Sequence, residues 1–227
     1  MDRTSSTFGV ELLGRLCAAP LARFGRQLQH PTGLTGRLVG HAMALANRRA
    51  NRAAIEALGI APEDEILELG FGPGAAIETL AALTPGGRVY GVDKSQVMLA
   101  LACKRNKAAM RAGRVVLKQG SFDKLPLPAA AVDKVLAVNV IYFWREAGAV
   151  LSEIRRVLRP GGVLAIYATD AGAMRRWKFA GPVTHRTFDR PGLAALLAEA
   201  GFDPAQIDIR ETRPAPGIRG WVATARQ

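Results

Sequence analysis

Residues 66–76 read ILELGFGPGAA, and this stretch decides how the rest of the chain is interpreted. It opens with a short apolar run, which predicts a buried strand. Glycines at positions 70, 72 and 74 follow at once, and residues 75–83 have helix-forming composition. Glycine tolerates positive φ and has no Cβ, so a strand, a glycine turn and a helix N-terminus let the backbone approach a ligand closely.

A second strand is predicted at residues 88–92, and it ends at Asp93. A carboxylate at the end of the second strand can accept hydrogen bonds from both hydroxyls of a ribose. The predicted ligand is therefore a nucleoside derivative.

A nicotinamide dinucleotide is one candidate, because residues 70–75 satisfy G-x-G-x-x-G/A and Asp93 lies at about the expected ~20-residue distance. Other features favour a different cofactor. Glu68 stands just before the first glycine, where it would repel a pyrophosphate but attract a cationic amino group. A further glycine, Gly74, directly follows Pro73, and the motif lies far inside the chain.

The pattern E-x-G-x-G-x-G at residues 68–74, followed by GVDKSQVML at 91–99, resembles the class I S-adenosylmethionine-dependent methyltransferases. It is similar in particular to the small single-domain group called type 11 methyltransferases. The resemblance runs from about residue 60 to the C-terminus. It implies S-adenosyl-L-methionine as the cofactor and in-line transfer of its methyl group to an acceptor.

Strands and helices alternate after the glycine turn, which predicts an α/β fold. Further strands are expected at 114–118, 132–138 and 163–168, and further helices at 95–111, 147–158 and 193–200. The last two strands, 207–210 and 220–225, have no helix between them and must pair antiparallel. The prediction is a Rossmann-like doubly wound sheet, mostly parallel, with a C-terminal antiparallel hairpin.

The N-terminal part reads as a helical segment, residues 1–59, in front of the cofactor-binding domain, residues 60–227. Residues 10–29 form a candidate amphipathic helix bent by Pro20, and they contain neither a secretory signal nor a membrane span. Such a helix could cover the cofactor, make a peripheral membrane contact, or pack on the domain edge. A second helix is expected over 34–58. By the resemblance it borders the active site, which Asn47, Arg48 and Asn51 could face, although the arginines also suit a solvated face.

Net charge and composition limit which binding partners and metal sites are expected. The formal net charge of +12 suits nucleic acid or an anionic membrane, so a basic binding module is a further alternative to an enzyme. The basic residues are mostly arginines spread along the chain, however, which favours a generally basic surface. The two cysteines have no metal-ligand spacing and the three histidines form no cluster, so no metal site is expected. Unpaired thiols suit a reducing, cytoplasmic location.

The resemblance assigns cofactor contacts to individual residues. Gly70, Gly72 and Gly74 would carry the methionine part, while Glu68 would hold its amino group. Asp93 would bind the ribose. Lys94 would lie beside the adenine, as would Ser121 and Phe122, although the family usually has an acidic and a small residue at those two positions. Asp123 either substitutes for the missing acid or caps a turn.

The segment 139–144 follows the fourth strand and is expected to face the cofactor methyl, with Asn139 among the cofactor contacts. Tyr142 and His185 are the candidate catalytic bases, required only if the nucleophile arrives protonated. The loop 170–191, rich in arginine and aromatic residues, is expected to shape a pocket for a small-molecule or lipid-like acceptor. The Asn/Asp-Pro-Pro-aromatic signature of many nucleic-acid methyltransferases is missing at 139–144, which argues against a nucleic-acid substrate. The methylated atom and the oligomeric state stay open.

Overall fold

The protein is described by a computed structural model over residues 45–177 and 185–227. In these ranges the helices are α1 Arg48–Leu58, α2 Ala75–Leu83, α3 Gln96–Arg105, α4 Lys107–Arg111, α5 Ala147–Val157, α6 Ala171–Met174 and α7 Arg190–Glu199. The strands are β1 Glu65–Leu69, β2 Arg88–Asp93, β3 Val115–Gln119, β4 Val132–Val138, β5 Leu158–Thr169, β6 Ile207–Ala215 and β7 Ile218–Arg226.

The strands form one sheet in the order β3-β2-β1-β4-β5-β7-β6. The pairs from β3 to β5 are parallel, and β7 runs antiparallel to both β5 and β6. The predicted Rossmann-like sheet with its C-terminal antiparallel hairpin is therefore confirmed. Since β1 lies between β2 and β4, the chain leaves β1 and β4 in opposite directions, and ligands bind at such a switch point beyond the carboxyl ends of the strands.

Strand β1 carries apolar side chains on both faces of the sheet, because both faces are covered. Ile66 packs into a core with α1 and α2, while Leu67 and Leu69 pack on the opposite face with α5 and α7. All three side chains are fully buried. This burial holds the glycine turn that follows β1 at a fixed position above the sheet.

The predicted helix over 95–111 is divided at Asn106 into α3 and α4. The buried Asn106 amide donates to the carbonyls of Ala102, at 2.9 Å, and Gly74, at 3.1 Å. An asparagine that bonds to nearby backbone competes with helix continuation. The predicted cap at Ser95 is confirmed, since its hydroxyl accepts from the Met98 amide.

Strand β5 starts at Leu158 instead of residue 163, and it includes the turn predicted at 159–162, where Gly161 has a φ of +78°. Leu158 already pairs with Val132, and a register shift follows in the ladder. The chain end holds this irregular entry in place, because Gln227 exchanges backbone hydrogen bonds with Gly161 and Gly162. Pairing with the distant C-terminus is invisible to a local sequence pattern.

Of the predicted segment 1–59, the structure describes the part that contains α1; the candidate helix over 10–29 lies outside the described residues. Helix α1 packs against β4 and β5, and Arg49 donates to the Pro214 carbonyl at 3.2 Å. Among the residues described, no helix combines the length and apolar character needed to cross a bilayer.

Candidate functional site

A cavity of about 570 Å³ lies at the carboxyl ends of β1, β2 and β4. Its volume is in the usual range for small-molecule sites. Helix α1 borders one end of the cavity through Asn47 and Asn51, and the loop after β3 borders the other. The predicted cofactor residues that line it are Glu68, Gly70, Gly72, Asp93, Lys94, Phe122 and Asn139.

The three glycines after β1 have different tasks. All have positive φ. A Cβ on Gly70 would lie 2.6 Å from the Val140 side chain, and one on Gly74 would lie 2.8 Å from Ala102. A Cβ on Gly72 would meet nothing within 4 Å. Gly70 and Gly74 thus permit close packing, whereas the backbone at Gly72 is open to a ligand. Gly74 does not line the cavity.

The carboxylate of Asp93 joins two parts of the site. One oxygen accepts from the Gly72 amide at 2.9 Å and the other from the Ser95 amide at 2.8 Å. Asp93 is only 8% exposed, yet it lines the cavity. Each carboxylate oxygen can accept more than one hydrogen bond, so this arrangement orients Asp93 without excluding a bound hydroxyl.

Glu68 is a buried carboxyl in the wall of the same cavity. Its Oε2 has no hydrogen-bond partner among the described residues. Burial, followed by the nearby charge of Asp93, raises the pKa of Glu68 to about 8. A buried carboxylate without a partner is unfavourable, so this position suits a ligand that brings a cationic group.

The end of the cavity near β3 is built by an aromatic ring and an ammonium group. Lys94 Nζ lies 5.1 Å from the centre of the buried Phe122 ring. The next residue, Asp123, also lines the cavity, whereas Ser121 is exposed and does not. Of the residues considered for adenine, the structure thus brings all but Ser121 to the cavity wall.

Asn139 follows β4 with a φ of +54°, a conformation that asparagine tolerates better than most residues. Its Oδ1 accepts from the Tyr142 hydroxyl at 2.7 Å and the Thr169 hydroxyl at 3.3 Å. Its Nδ2 donates to Asn47 Oδ1 at 2.8 Å. The contact between Asn139 and Asn47 was not foreseen, because these residues lie far apart in sequence.

The structure does not support the catalytic role considered for Tyr142. Its hydroxyl is occupied by Asn139 and by the Thr169 amide, which donates to it. Burial raises the pKa of Tyr142, although its hydrogen bonds with Thr169 oppose the rise. Tyr142 does not line the cavity. A buried, neutral hydroxyl with both neighbours in place cannot take a proton from an acceptor.

The base role considered for His185 is not supported either. The ring is buried, with its centre 6.0 Å from the Tyr142 ring and 5.0 Å from the Phe143 ring. Burial lowers the pKa of His185, and the residue does not line the cavity. His185 therefore packs behind the site.

The described residues of the predicted acceptor loop do not line the cavity. Asp170 instead holds the start of this loop: it accepts from Arg219 at 2.9 Å and from the Trp221 indole at 3.0 Å. Burial alone would raise the pKa of Asp170, but these partners hold it below its ordinary value. Residues 178–184 lie outside the described residues. In the two described ranges, no three His, Cys, Asp or Glu side chains are grouped to bind a metal ion.

An open, mostly parallel sheet with a glycine turn after β1 and an acid at the end of β2 defines an α/β protein that binds a nucleoside cofactor. Comparison with known proteins narrows this class. Residues 67–166 match the methyltransferase domain family. The uncharacterized methyltransferase YdaC of Bacillus subtilis is 35% identical over 190 residues, covering 84% of this chain and 98% of YdaC.

One further sequence relative and one solved structure are also similar to this chain. Erythromycin 3''-O-methyltransferase of Saccharopolyspora erythraea is 31% identical over 193 residues, covering 78% of this chain and 63% of the relative. The crystal structure of a SAM-dependent methyltransferase from Aquifex aeolicus shares the fold, with a TM-score of 0.64 at 20% identity, covering 89% of this chain and 97% of that one. The chain belongs to the class I S-adenosylmethionine-dependent methyltransferases, and S-adenosyl-L-methionine is its cofactor.

The cavity fits this cofactor. The open backbone at Gly72 leaves room for a ligand where a Cβ would intrude. The buried Glu68 oxygen without a partner suits the amino group of the methionine part. A nicotinamide dinucleotide would instead bring a pyrophosphate towards Glu68, so family and site agree against the dehydrogenase alternative.

Proposed function

We propose that this methyltransferase acts on a small-molecule or lipid-like acceptor, bound at the end of the cavity beside α1. The observation that carries the proposal is the cavity itself. It is about 570 Å³ in volume and bordered by Asn51 of α1 and by Asn47, which precedes α1. A nucleic-acid duplex needs a broad, open basic face, which such a bounded cavity does not offer.

The cavity residues have proposed roles in holding the cofactor. The backbone at Gly72 contacts the methionine part, and Glu68 pairs with its amino group. Asp93 binds the ribose, while Phe122 and Lys94 border the adenine. When bound, S-adenosyl-L-methionine supplies a methyl group already activated on a sulfonium. The residues of the chain then contribute proximity and alignment, which can be worth ~7–11 kcal/mol.

No general base is assigned at the acceptor end. Among the described polar residues there, Asn47, Asn51 and Asn139 do not titrate and Glu146 is exposed at the cavity edge, while Tyr142 and His185 are buried behind the cavity wall. The proposal therefore requires an acceptor atom that reaches the site unprotonated. The name of the erythromycin 3''-O-methyltransferase relative denotes a small-molecule acceptor, which supports the small-molecule part of the proposal.

A turnover screen with methyl-labelled cofactor tests the proposal. The candidates are small aromatic and aliphatic acids, hydroxylated compounds, amines, lipid vesicles, transfer RNA and duplex DNA. We expect label in at least one small or lipid-like compound and none in nucleic acid. Label only in nucleic acid or in protein would refute the proposed acceptor class while leaving the methyltransferase assignment intact.

A further inference from the structure

Hydrogen bonds at the carboxyl ends of β4 and β5 form a chain. Its first donor determines which group donates and which accepts at each later step. The backbone amide of Thr169 can only donate, and it donates to the Tyr142 hydroxyl. The Tyr142 hydroxyl must therefore direct its own proton to Asn139 Oδ1, 2.7 Å away. This assigns the amide oxygen and nitrogen of Asn139, because only the oxygen can accept.

The same order of donors and acceptors extends to Asn47, next to α1. With its oxygen facing Tyr142, Asn139 presents Nδ2, which donates to Asn47 Oδ1 at 2.8 Å. Asn47 precedes the first residue of α1, but its side chain makes no capping hydrogen bond to that helix. Its Oδ1 faces Asn139, and no described residue accepts from the N–H groups of Asn47, so they are left for another partner. Both asparagines line the cavity.

We infer that Asn47 presents amide N–H donors to the methyl acceptor, and that the acceptor carries an unprotonated oxygen, as in a carboxylate, enolate or carbonyl group. Asn139 and Tyr142 are positioning residues that set the orientation of Asn47. This inference rests on the proposed small-molecule function. A chain of hydrogen bonds in a partly buried site polarises its members, which strengthens the terminal donor.

The charges around the cavity do not oppose an oxygen ligand at this position. The asparagines at the α1 end are neutral, and Arg145 adds a cation to the lining. The acidic lining residues Glu68 and Asp93 face the proposed cofactor site, while Glu146 is exposed at the cavity edge and Asp123 follows the adenine-side residue Phe122. An oxygen acceptor thus meets donors at Asn47.

The first test compares two aromatic probes of similar size and opposite charge, benzoate and benzylamine, on protein saturated with S-adenosylhomocysteine. Saturation-transfer NMR measures their affinities. We expect wild-type protein to bind benzoate more tightly and Asn47→Asp, which replaces the donors with a carboxylate, to reverse this preference. Absence of benzoate binding, or an unchanged preference in Asn47→Asp, would overturn the inference.

The second test separates the directed chain from simple charge. Tyr142→Phe changes no charge, yet it removes the group that orients Asn139, so benzoate affinity should fall about three- to tenfold, as for one lost hydrogen bond. Tyr167→Phe is the matched control, since its buried hydroxyl lies 3.5 Å from Thr169 Oγ1 and, unlike that of Tyr142, makes no direct hydrogen bond to Asn139 in the described part of the chain. We expect that control to bind benzoate as wild type does.

Measurements of unfolding and of S-adenosylhomocysteine binding distinguish a failed inference from an unstable variant and from a missing cofactor site. Asn139→Gly removes the amide and also relieves the positive φ, so it should fold and lose benzoate affinity even if Tyr142→Phe proves unstable. Equal benzoate affinity in Asn139→Gly and wild type would overturn the inference. Failure of wild-type protein to bind S-adenosylhomocysteine would instead contradict the cofactor site itself.

Discussion

At the scale of single residues, Gly72 is the glycine whose backbone faces open space in the cavity, and Gly59 provides a control. Both have positive φ, +52° and +58°, and neither has an atom within 4 Å of a Cβ position. Gly72→Val and Gly59→Val should each lose about 1–2 kcal/mol of unfolding free energy through backbone strain. Calorimetry should show weakened S-adenosylhomocysteine binding in Gly72→Val alone; a similar loss in Gly59→Val would attribute the effect to stability.

Glu68 should make the stability of the cofactor-free protein depend on pH. Its pKa is 4.5 in an ordinary environment and about 8 in the fold, where burial penalises the charge. Stability is therefore fully present below pH 4.5 and is lost as the pH rises towards 8. Glu68→Gln should flatten this decline, on the order of a few kcal/mol. Urea unfolding at pH 5 and pH 9 measures it; an equal decline in both proteins would show that Glu68 is ionised without cost.

At the scale of elements, the predictions from sequence succeeded where the pattern is local. The run after residue 65 and the segment 132–138 are strands at the predicted positions, because predominantly apolar residues suit strands covered on both faces. The break at Asn106 and the early start of β5 were missed, because each depends on a partner distant in sequence.

The Asn106 side chain, at the break between α3 and α4, also links these helices to the glycine turn. Asn106→Ala removes the amide that donates to Gly74 and Ala102 within the core. We expect a loss of about 1–3 kcal/mol in chemical denaturation, since two buried side-chain hydrogen bonds are removed. Gln119→Ala removes a similar bond, from an exposed amide to the Lys94 carbonyl, and should cost about 0.5 kcal/mol or less. Equal losses would show that Asn106 has no special role.

At the scale of the whole molecule, the sheet order decides which residues meet. Sequence motifs located the cofactor side, with Glu68, Gly72 and Asp93, because each lies directly after or within a strand near the switch point. The contacts on the acceptor side could not be predicted from sequence motifs. Asn47 and Asn139 meet only because α1 packs over β4 and β5, which no local pattern encodes.

Deleting residues 1–30 should leave the fold and the cofactor affinity largely intact. A segment that covers a site contributes few core contacts. If residues 1–30 cover the site, which is one of the three roles considered for them, turnover of an acceptor identified in the labelled screen should fall more than stability does. Thermal unfolding and calorimetry with S-adenosylhomocysteine check this. Unfolding of the truncated protein, or full turnover by it, would contradict the covering role.

The most direct test of the account is calorimetric titration of S-adenosylhomocysteine into wild-type protein and Asp93→Ala. Asp93 both lines the cavity and orients the Gly72 and Ser95 amides. Wild-type protein should bind the compound, and Asp93→Ala should bind it about 1.5–3 kcal/mol more weakly, as expected for lost hydrogen bonds to a charged group. Equal affinity in the two proteins, or binding of NAD in place of S-adenosylhomocysteine, would contradict the account.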